Sequence, residues 1–370
     1  GHSTIQVVDI SAPNGILVEG ATVEAAGQIE NRWQMDELDG VLRVISQPGV
    51  WETDAPPVVQ TFTVLSSDDV QPLASMSLQL PMPERLRSVR FDGAKAYAIT
   101  AVQQDPLFII DLADPAAPLQ RGMLEMPGWV YHMEPRGDRV YALGFDNTNP
   151  EGNLAVSLFD VSDMDNPTML QRVGFGGEWS SVPEDQDRIH KAFKFVDELG
   201  LLLVPYSSWT SEGSSYECGY SYESGIQLID FTEDTLDARG LAKVSGWARR
   251  AFVANGKLFS VSDADVRSFD IADRDAPAQE DLITLSVNVE QALVVGNAVA
   301  RIATDWWSGG ARLEMAPLAD PGKAEPLGVL DLGTLDETDD CGWSYYGAKA
   351  FANGSYVYLV RSGWDTKTHI

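Results

Sequence analysis

Alternating apolar runs recur along this chain, and one after another ends in the same short phrase. Ile110-Asp111-Leu112-Ala113-Asp114-Pro115 returns as Phe159-Asp160-Val161-Ser162-Asp163 and as Phe269-Asp270-Ile271-Ala272-Asp273. Weaker copies are Val8-Asp9-Ile10-Ser11-Ala12-Pro13, Val64-Leu65-Ser66-Ser67-Asp68, Ile229-Asp230-Phe231-Thr232-Glu233 and Pro317-Leu318-Ala319-Asp320-Pro321. β-Branched and aromatic residues fit a pleated strand, and Asp, Ser and Pro fit a tight turn, so each copy predicts a strand running into a turn. A unit repeating roughly every 50 residues in an all-β chain predicts propeller blades.

Seven units follow from this period. First strands begin at or near Trp33, Leu86, Trp129, Ile189, Trp247, Val287 and Trp343. They turn at Asp39-Gly40, Asp92-Gly93, Arg136-Gly137, Glu198-Leu199-Gly200, Asn255-Gly256, Val295-Gly296 and Asn353-Gly354. Asp-Gly and Asn-Gly are strong hairpin signals because both turn positions take positive φ. The last unit stops after its second strand, Ser355 to Arg361. Thr4 to Ser11 and Ile16 to Ala26 read as third and fourth strands lacking a first pair. A closing blade built from 1–30 and 343–370 would remove both unpaired edges. The expected fold is therefore all-β: a seven-bladed propeller over 1–370, one domain, with Gly1-His2 read as a cloning remnant. Thr368-His369-Ile370 also resembles Ser3-Thr4-Ile5.

Three segments carry a more specific likeness. Gln34-Met35-Asp36-Glu37-Leu38-Asp39-Gly40-Val41-Leu42-Arg43-Val44 is one. Val89-Arg90-Phe91-Asp92-Gly93 with Asp105-Pro106-Leu107-Phe108-Ile109-Ile110-Asp111-Leu112 is the second, and His190-Lys191-Ala192-Phe193 the third. Together they resemble the secreted β-propeller domain family of bacteria and archaea, distantly related to WD40 repeats. The resemblance covers about 33 to 231 and is weaker beyond. It implies a propeller fold and a secreted or cell-surface location; it supplies no catalytic residues.

Charge narrows the partners. Asp and Glu number 55 against 26 Lys and Arg, a net charge of −29. Such a chain repels nucleic acid and anionic lipid surfaces. No apolar run reaches the ~20 residues of a membrane helix. Solubility in a salty or extracellular setting explains the charge; calcium or cationic partners are the sharper reading. Cys218 and Cys341 are too few for a disulfide scaffold but suffice for one bridge tethering the loop from Pro205 to Gly225.

The ten tryptophans fall on one predicted end of the blades. Trp33, Trp129, Trp247 and Trp343 sit at first-strand entrances, with Trp179 in a loop leading to one. Trp51, Trp209, Trp306, Trp307 and Trp364 sit in second-to-third loops. Exposed indoles suit sugar rings, peptides or cations, whereas entrance indoles also serve as wedges between blades. Aligning first strands on Met35, Ser88, Met133, Ala192, Ala251, Ala292 and Ala350 gives a small or apolar column. The preceding column reads Gln34, Arg87, His132, Lys191, Arg250, Gln291 and Lys349. Several cations converging there would attract a carboxylate or phosphate; pairing with neighbours such as Asp36 or Glu290 is the plainer alternative.

Other chemistry is thin. Asp336, Glu337, Asp339 and Asp340 form an acidic run that could take calcium but lacks the Asp-x-Asp-x-Asp-Gly loop. His132 and His190 could meet around zinc or copper, with no third ligand in sight. Glu178, Glu184, Asp187 and Asp305 could pair for sugar cleavage. No cofactor is expected. The reading is a secreted or cell-surface recognition or scaffold propeller. It binds a glycan, cell-wall fragment or peptide through a tryptophan-rich face, with a basic funnel for an anionic one. The competing readings are a polysaccharide hydrolase or lyase using loop carboxylates, and a structural module docked on a partner domain.

Overall fold

A computed structural model of the chain describes every residue except 50–54, 102–105, 126–127, 147–152, 186–187, 212–219, 287, 306–309, 324, 333–343, 363–367 and 370. The fold is all-β, in eight antiparallel sheets. An N-terminal pair, β1 (Thr4–Asp9) and β2 (Val18–Glu24), comes first. Then come β3 (Met35–Leu38), β4 (Val41–Ser46), β5 (Val58–Ser66) and β6 (Asp69–Ser77). The next four are β7 (Arg85–Asp92), β8 (Lys95–Ala101), β9 (Leu107–Asp111) and β10 (Leu119–Leu124). They are followed by β11 (Trp129–Arg136), β12 (Arg139–Phe145), β13 (Leu154–Asp160) and β14 (Thr168–Phe175). A five-stranded sheet holds β15 (Trp179–Ser181), β16 (Lys194–Val196), β17 (Leu201–Ser211), β18 (Tyr220–Phe231) and β19 (Leu236–Lys243). Two more meanders are β20 (Ala248–Ala254), β21 (Lys257–Ser262), β22 (Asp265–Asp270), β23 (Ala278–Thr284), and β24 (Asn288–Val295), β25 (Ala298–Asp305), β26 (Gly310–Pro317), β27 (Gly328–Asp331). β28 (Ser344–Asn353), β29 (Tyr356–Ser362) and β30 (Thr368–His369) make the last sheet.

The chain divides into two compact units. One comprises Gly1–Phe175, Glu184–His190 and Asp230–Asp237; the other comprises Gly176–Pro183, Lys191–Ile229 and Ala238–Ile370. In the first unit, Ile45 and Val59 pack with Val89, Phe108 and Ile110, while Tyr97, Ile99 and Ile109 pack with Met133, Val140 and Phe159. The N-terminal pair adds Val23 and Ala25 to Val44 and Phe62, and Ala21 N–H donates to Ser67 O at 2.7 Å. In the second, Leu201, Leu203 and Leu228 pack with Ala251, Leu258 and Phe269. The middle strands are covered on both faces, which is why Leu107-Phe108-Ile109-Ile110 is apolar without alternation.

The repeated phrase folds as a double turn. Asp111, Asp160 and Asp270 each accept the backbone N–H two residues on, at 3.0, 2.9 and 2.8 Å. Asp114, Asp163 and Asp273 do the same at 3.0 Å. Carboxylates that satisfy the chain two residues later fix such turns. Twice the turn is gripped from the sheet before it. Arg121 forms a two-pronged pair with Asp165, and Arg239 with Asp275. The glycine after each arginine comes so close that a Cβ on Gly122 would lie 2.4 Å from Met164 O, and one on Gly240 2.3 Å from Asp275 O.

The hairpins between first and second strands fall into two classes. Asp39-Gly40 and Asn255-Gly256 form the two-residue loops with positive φ at both positions, as expected of Asp-Gly and Asn-Gly. Elsewhere the loop is one residue later: Asp92, Arg136, Val295 and Asn353 are still paired strand residues, and Gly93, Gly137, Gly296 and Gly354 open the loop with positive φ.

Three expectations need correction. First, the residues three before the last paired position are Met35, Val89, Met133, Ala251, Ala292 and Ala350, so the small column takes Val89 in place of Ser88. Arg87 is instead the extra residue of a bulge between Leu86 and Ser88, so Ser88 takes its place in the preceding column. Second, the five-stranded sheet does not begin at Ile189. Ile189–Lys191 is a 3₁₀ turn, and the position of a first strand is filled by two short pieces, β15 and β16, both paired to β17. Third, Pro205 to Gly225 is not all loop: β17 runs on to Ser211 and β18 starts at Tyr220. At the ends of the chain, β1 pairs with β2, and the third place beside β29 is taken by β30; among the described residues no pairing joins β1 to β29.

Candidate functional site

Two aromatic stacks stand where a first strand starts and a second strand ends. In the first unit Trp129 pairs across strands with Phe145, the rings 4.5 Å apart and 18° from parallel. Trp129 is 40% exposed. Tyr131 meets both rings edge-on, and its hydroxyl donates to Glu184 O at 2.8 Å. Burial raises the Tyr131 phenol above its ordinary pKa, with the Asp185 and Glu184 charges adding to it.

In the second unit Trp179 pairs with Trp209, the rings 5.2 Å apart and 12° from parallel. That separation is close to the ~4.8 Å between neighbouring strands, so each indole stands over its own strand and faces the other. Trp179 is 57% and Trp209 37% exposed. The segments holding them read Trp179-Ser180-Ser181 and Ser207-Ser208-Trp209, so antiparallel pairing sets Trp on Trp and Ser on Ser throughout. Below the indoles, on the same side by the two-residue period, the Ser181 hydroxyl donates to Ser207 O, and the Ser207 and Ser224 hydroxyls bond to each other at 2.8 Å.

Inside the first unit lies a polar chain. Arg90, nearly buried, sits 3.8 Å over the Trp33 ring; Arg32 lies 4.4 Å from the same ring. The Arg90 guanidinium donates to His132 Nδ1, and His132 Nε2 faces Glu134 Oε2 at 3.7 Å. Accepting at Nδ1 sets the neutral ring to carry its proton on Nε2, toward Glu134. His190 meets Trp33 edge-on. Burial pushes the Arg90 pKa down to about 9 and His132 down to about 4, so at neutral pH Arg90 is cationic and His132 is not. Burial works to raise the Glu134 carboxyl, but the nearby His132 imidazole and the Arg90 and Arg136 charges outweigh it and hold it below its usual range. A guanidinium at Nδ1 opposes a metal there, and among the described residues no three His, Cys, Asp or Glu side chains gather as a metal site.

The sequence-predicted residues sort by place. Trp179 and Trp209 lie on paired strands, not in loops, and are brought together. His132 is wholly buried, so a ligand does not touch it. Arg87 is exposed on its bulge, in the first unit with His132. Lys191, Arg250 and Lys349 belong to the second unit. Lys191 is exposed on the 3₁₀ turn, Lys349 is exposed on β28, and Arg250 is half-buried, donating to Arg249 O at 2.9 Å. Within that column Gln291 bonds both backbone groups of Ala350, at 2.8 and 2.6 Å, which stitches β24 to β28. Trp51, Trp306, Trp307, Trp364, Cys218, Cys341, Asp336, Asp339, Asp340 and Asp187 lie outside the described residues, as does the side chain of Asp305. Arg90 and the mirrored Trp-Ser-Ser segments are what sequence reasoning missed. The mirror was legible, but only the pairing register gives it meaning.

Comparison with known proteins gives the fold a family. A family model described as a beta propeller domain matches residues 2–274. An uncharacterised protein of Methanocaldococcus jannaschii is 31% identical over 248 residues, 67% of this chain and 36% of its own length. Another of Archaeoglobus fulgidus is 28% identical over 66% of this chain and 34% of its own. The chain thus spans about a third of the length of these relatives. Among solved structures, a functionally unknown protein of Desulfotomaculum acetoxidans aligns at TM-score 0.39 and 8% identity over 85% of this chain and 92% of its own. No helix among the described residues is long and apolar enough to cross a membrane.

Proposed function

The chain belongs to the beta propeller domain family, and we propose that it is a recognition module, working outside the cell or at its surface, that holds a glycan, cell-wall fragment or peptide against aromatic side chains at the blade ends. The observation that carries this is the pair of indoles Trp179 and Trp209, stacked on each other yet exposed at 57% and 37%. Large rings held rigid and left in water favour a binding role over packing. The Trp129–Phe145 stack supports the same reading in the first unit. An acidic ligand would draw on Lys191, Arg250 and Lys349; Ser88, not Arg87, holds the matching column position in β7. The proposed ring has seven blades in one domain, the closing blade shared between 1–30 and 343–370. Its net charge of −29 suits a secreted protein that shuns nucleic acid.

Intrinsic tryptophan fluorescence, titrated with acidic and neutral polysaccharides, cell-wall fragments and peptides, with calcium and with chelator, tests the proposal. A saturable shift with one ligand class is expected. Turnover of the ligand, abolished by a single carboxylate-to-amide change, would instead make this an enzyme. Silence across the panel would reject the recognition role.

A further inference from the structure

Resting on the recognition reading, we infer that the outer face of Trp179 is the seat of one uncharged hexopyranose unit of a glycan, with Trp209 as the backing ring. β15 is the edge strand of its sheet, in the order β15-β17-β18-β19. One face of Trp179 meets Trp209, and among the described residues no strand of that sheet lies beyond the other. A free flat indole face is complementary to the C–H face of a pyranose ring, and a second parallel ring behind it keeps the first from turning away.

The surroundings choose the ligand class. All six residues of the two paired segments are tryptophan or serine, with Ser207 and Ser208 buried, so the seat offers indole faces and no charge. Ser181 and Ser207 share the indoles' side of the sheet, directly inward of them. A neutral sugar presents an uncharged, apolar ring face that matches such a seat. An anion would need a cation in the seat, and none of the six residues supplies one. A quaternary ammonium is held by rings that surround it, whereas these two are 12° from parallel. A protein partner needs about 800 Å² per side, and two indoles expose at most about 500 Å².

The experiment measures affinity by titration calorimetry for soluble hexaoses of glucose, mannose and N-acetylglucosamine. Oligogalacturonate, tetramethylammonium and a mixed peptide library serve as alternatives. The proteins compared are the whole chain, Trp179→Ala, Trp179→Phe and Lys257→Ala, each first matched for melting temperature. We expect a neutral hexaose to bind. Trp179→Ala should lose at least tenfold in affinity, Trp179→Phe less, and Lys257→Ala nothing. Equal binding by Trp179→Ala would overturn this seat and leave the recognition role standing. Binding confined to oligogalacturonate, tetramethylammonium or peptide would overturn the ligand class. Binding of nothing at all would overturn both.

Discussion

His132 shows how burial converts a likely-looking ligand into a structural part of the molecule. It lies wholly buried between Arg90 and Glu134, with its pKa held near 4 against an ordinary value of 6.5. The folded protein therefore resists the proton that the unfolded chain accepts. That advantage is full above pH 6.5 and is lost as pH falls to 4. It amounts to about 3 kcal/mol over this window. Asparagine at this position keeps an acceptor for Arg90 and cannot titrate. Urea midpoints measured from pH 7 to 4 should fall more steeply for the native protein than for His132→Asn; parallel curves would reject the account. The sequence singled out His132 but not Arg90. A one-residue slip had put Ser88 where Val89 belongs, and in a pleated strand one residue exchanges the two faces. The slip comes from the hairpin: Asp92-Gly93 reads as a two-residue loop like Asp39-Gly40, whereas Asp92 is still paired and the loop opens at Gly93.

At the scale of the element, the repeated phrase was legible as strand and turn, and its two aspartates have a defined task. Each takes a backbone N–H two residues on, and the grip from the preceding sheet completes the turn. The grip has unequal parts. Arg239 and Asp275 meet at the surface, where an ion pair contributes about 0.5–1 kcal/mol. Gly240 lets the backbone approach, and alanine there would force the two chains apart at a cost of about 2–3 kcal/mol. Thermal melts should rank Gly240→Ala as more damaging than Arg239→Ala; the reverse order would make the ion pair the main holdfast. The five-stranded sheet was least legible because its first strand is interrupted. Trp179 looked like a loop residue since only three residues of β15 are paired, too few for a periodic pattern to stand out.

At the scale of the whole molecule, the sequence period was informative because every sheet is built from neighbours in the chain. The pairings are local meanders, and the hairpin and turn residues that mark them are visible one by one. The proposed closure is different in kind, since it would join residues more than 300 apart, and only the incomplete units at the two ends hint at it. If the ring is one domain closed by a shared blade, scattering should give a radius of gyration of about 21 Å, the compact value for this length. A clearly larger radius would mean that the two units are separate bodies, and the single-ring proposal would fall.

The division of a first strand into β15 and β16 has a bearing on how this scaffold could be changed. β16 and its partner Leu201–Leu203 lie against the buried core, while β15 is held by three pairings and exposes Trp179, with Ser180 and Ser181 half-buried. The two tasks of one strand, folding the sheet and presenting a surface, are carried by separate stretches of chain. Substitution of Trp179 should therefore leave the packing around Leu201 and Leu203 intact. That makes the segment an exchangeable cassette, in which selection or design can rewrite what the sheet displays while the sheet itself stays the same.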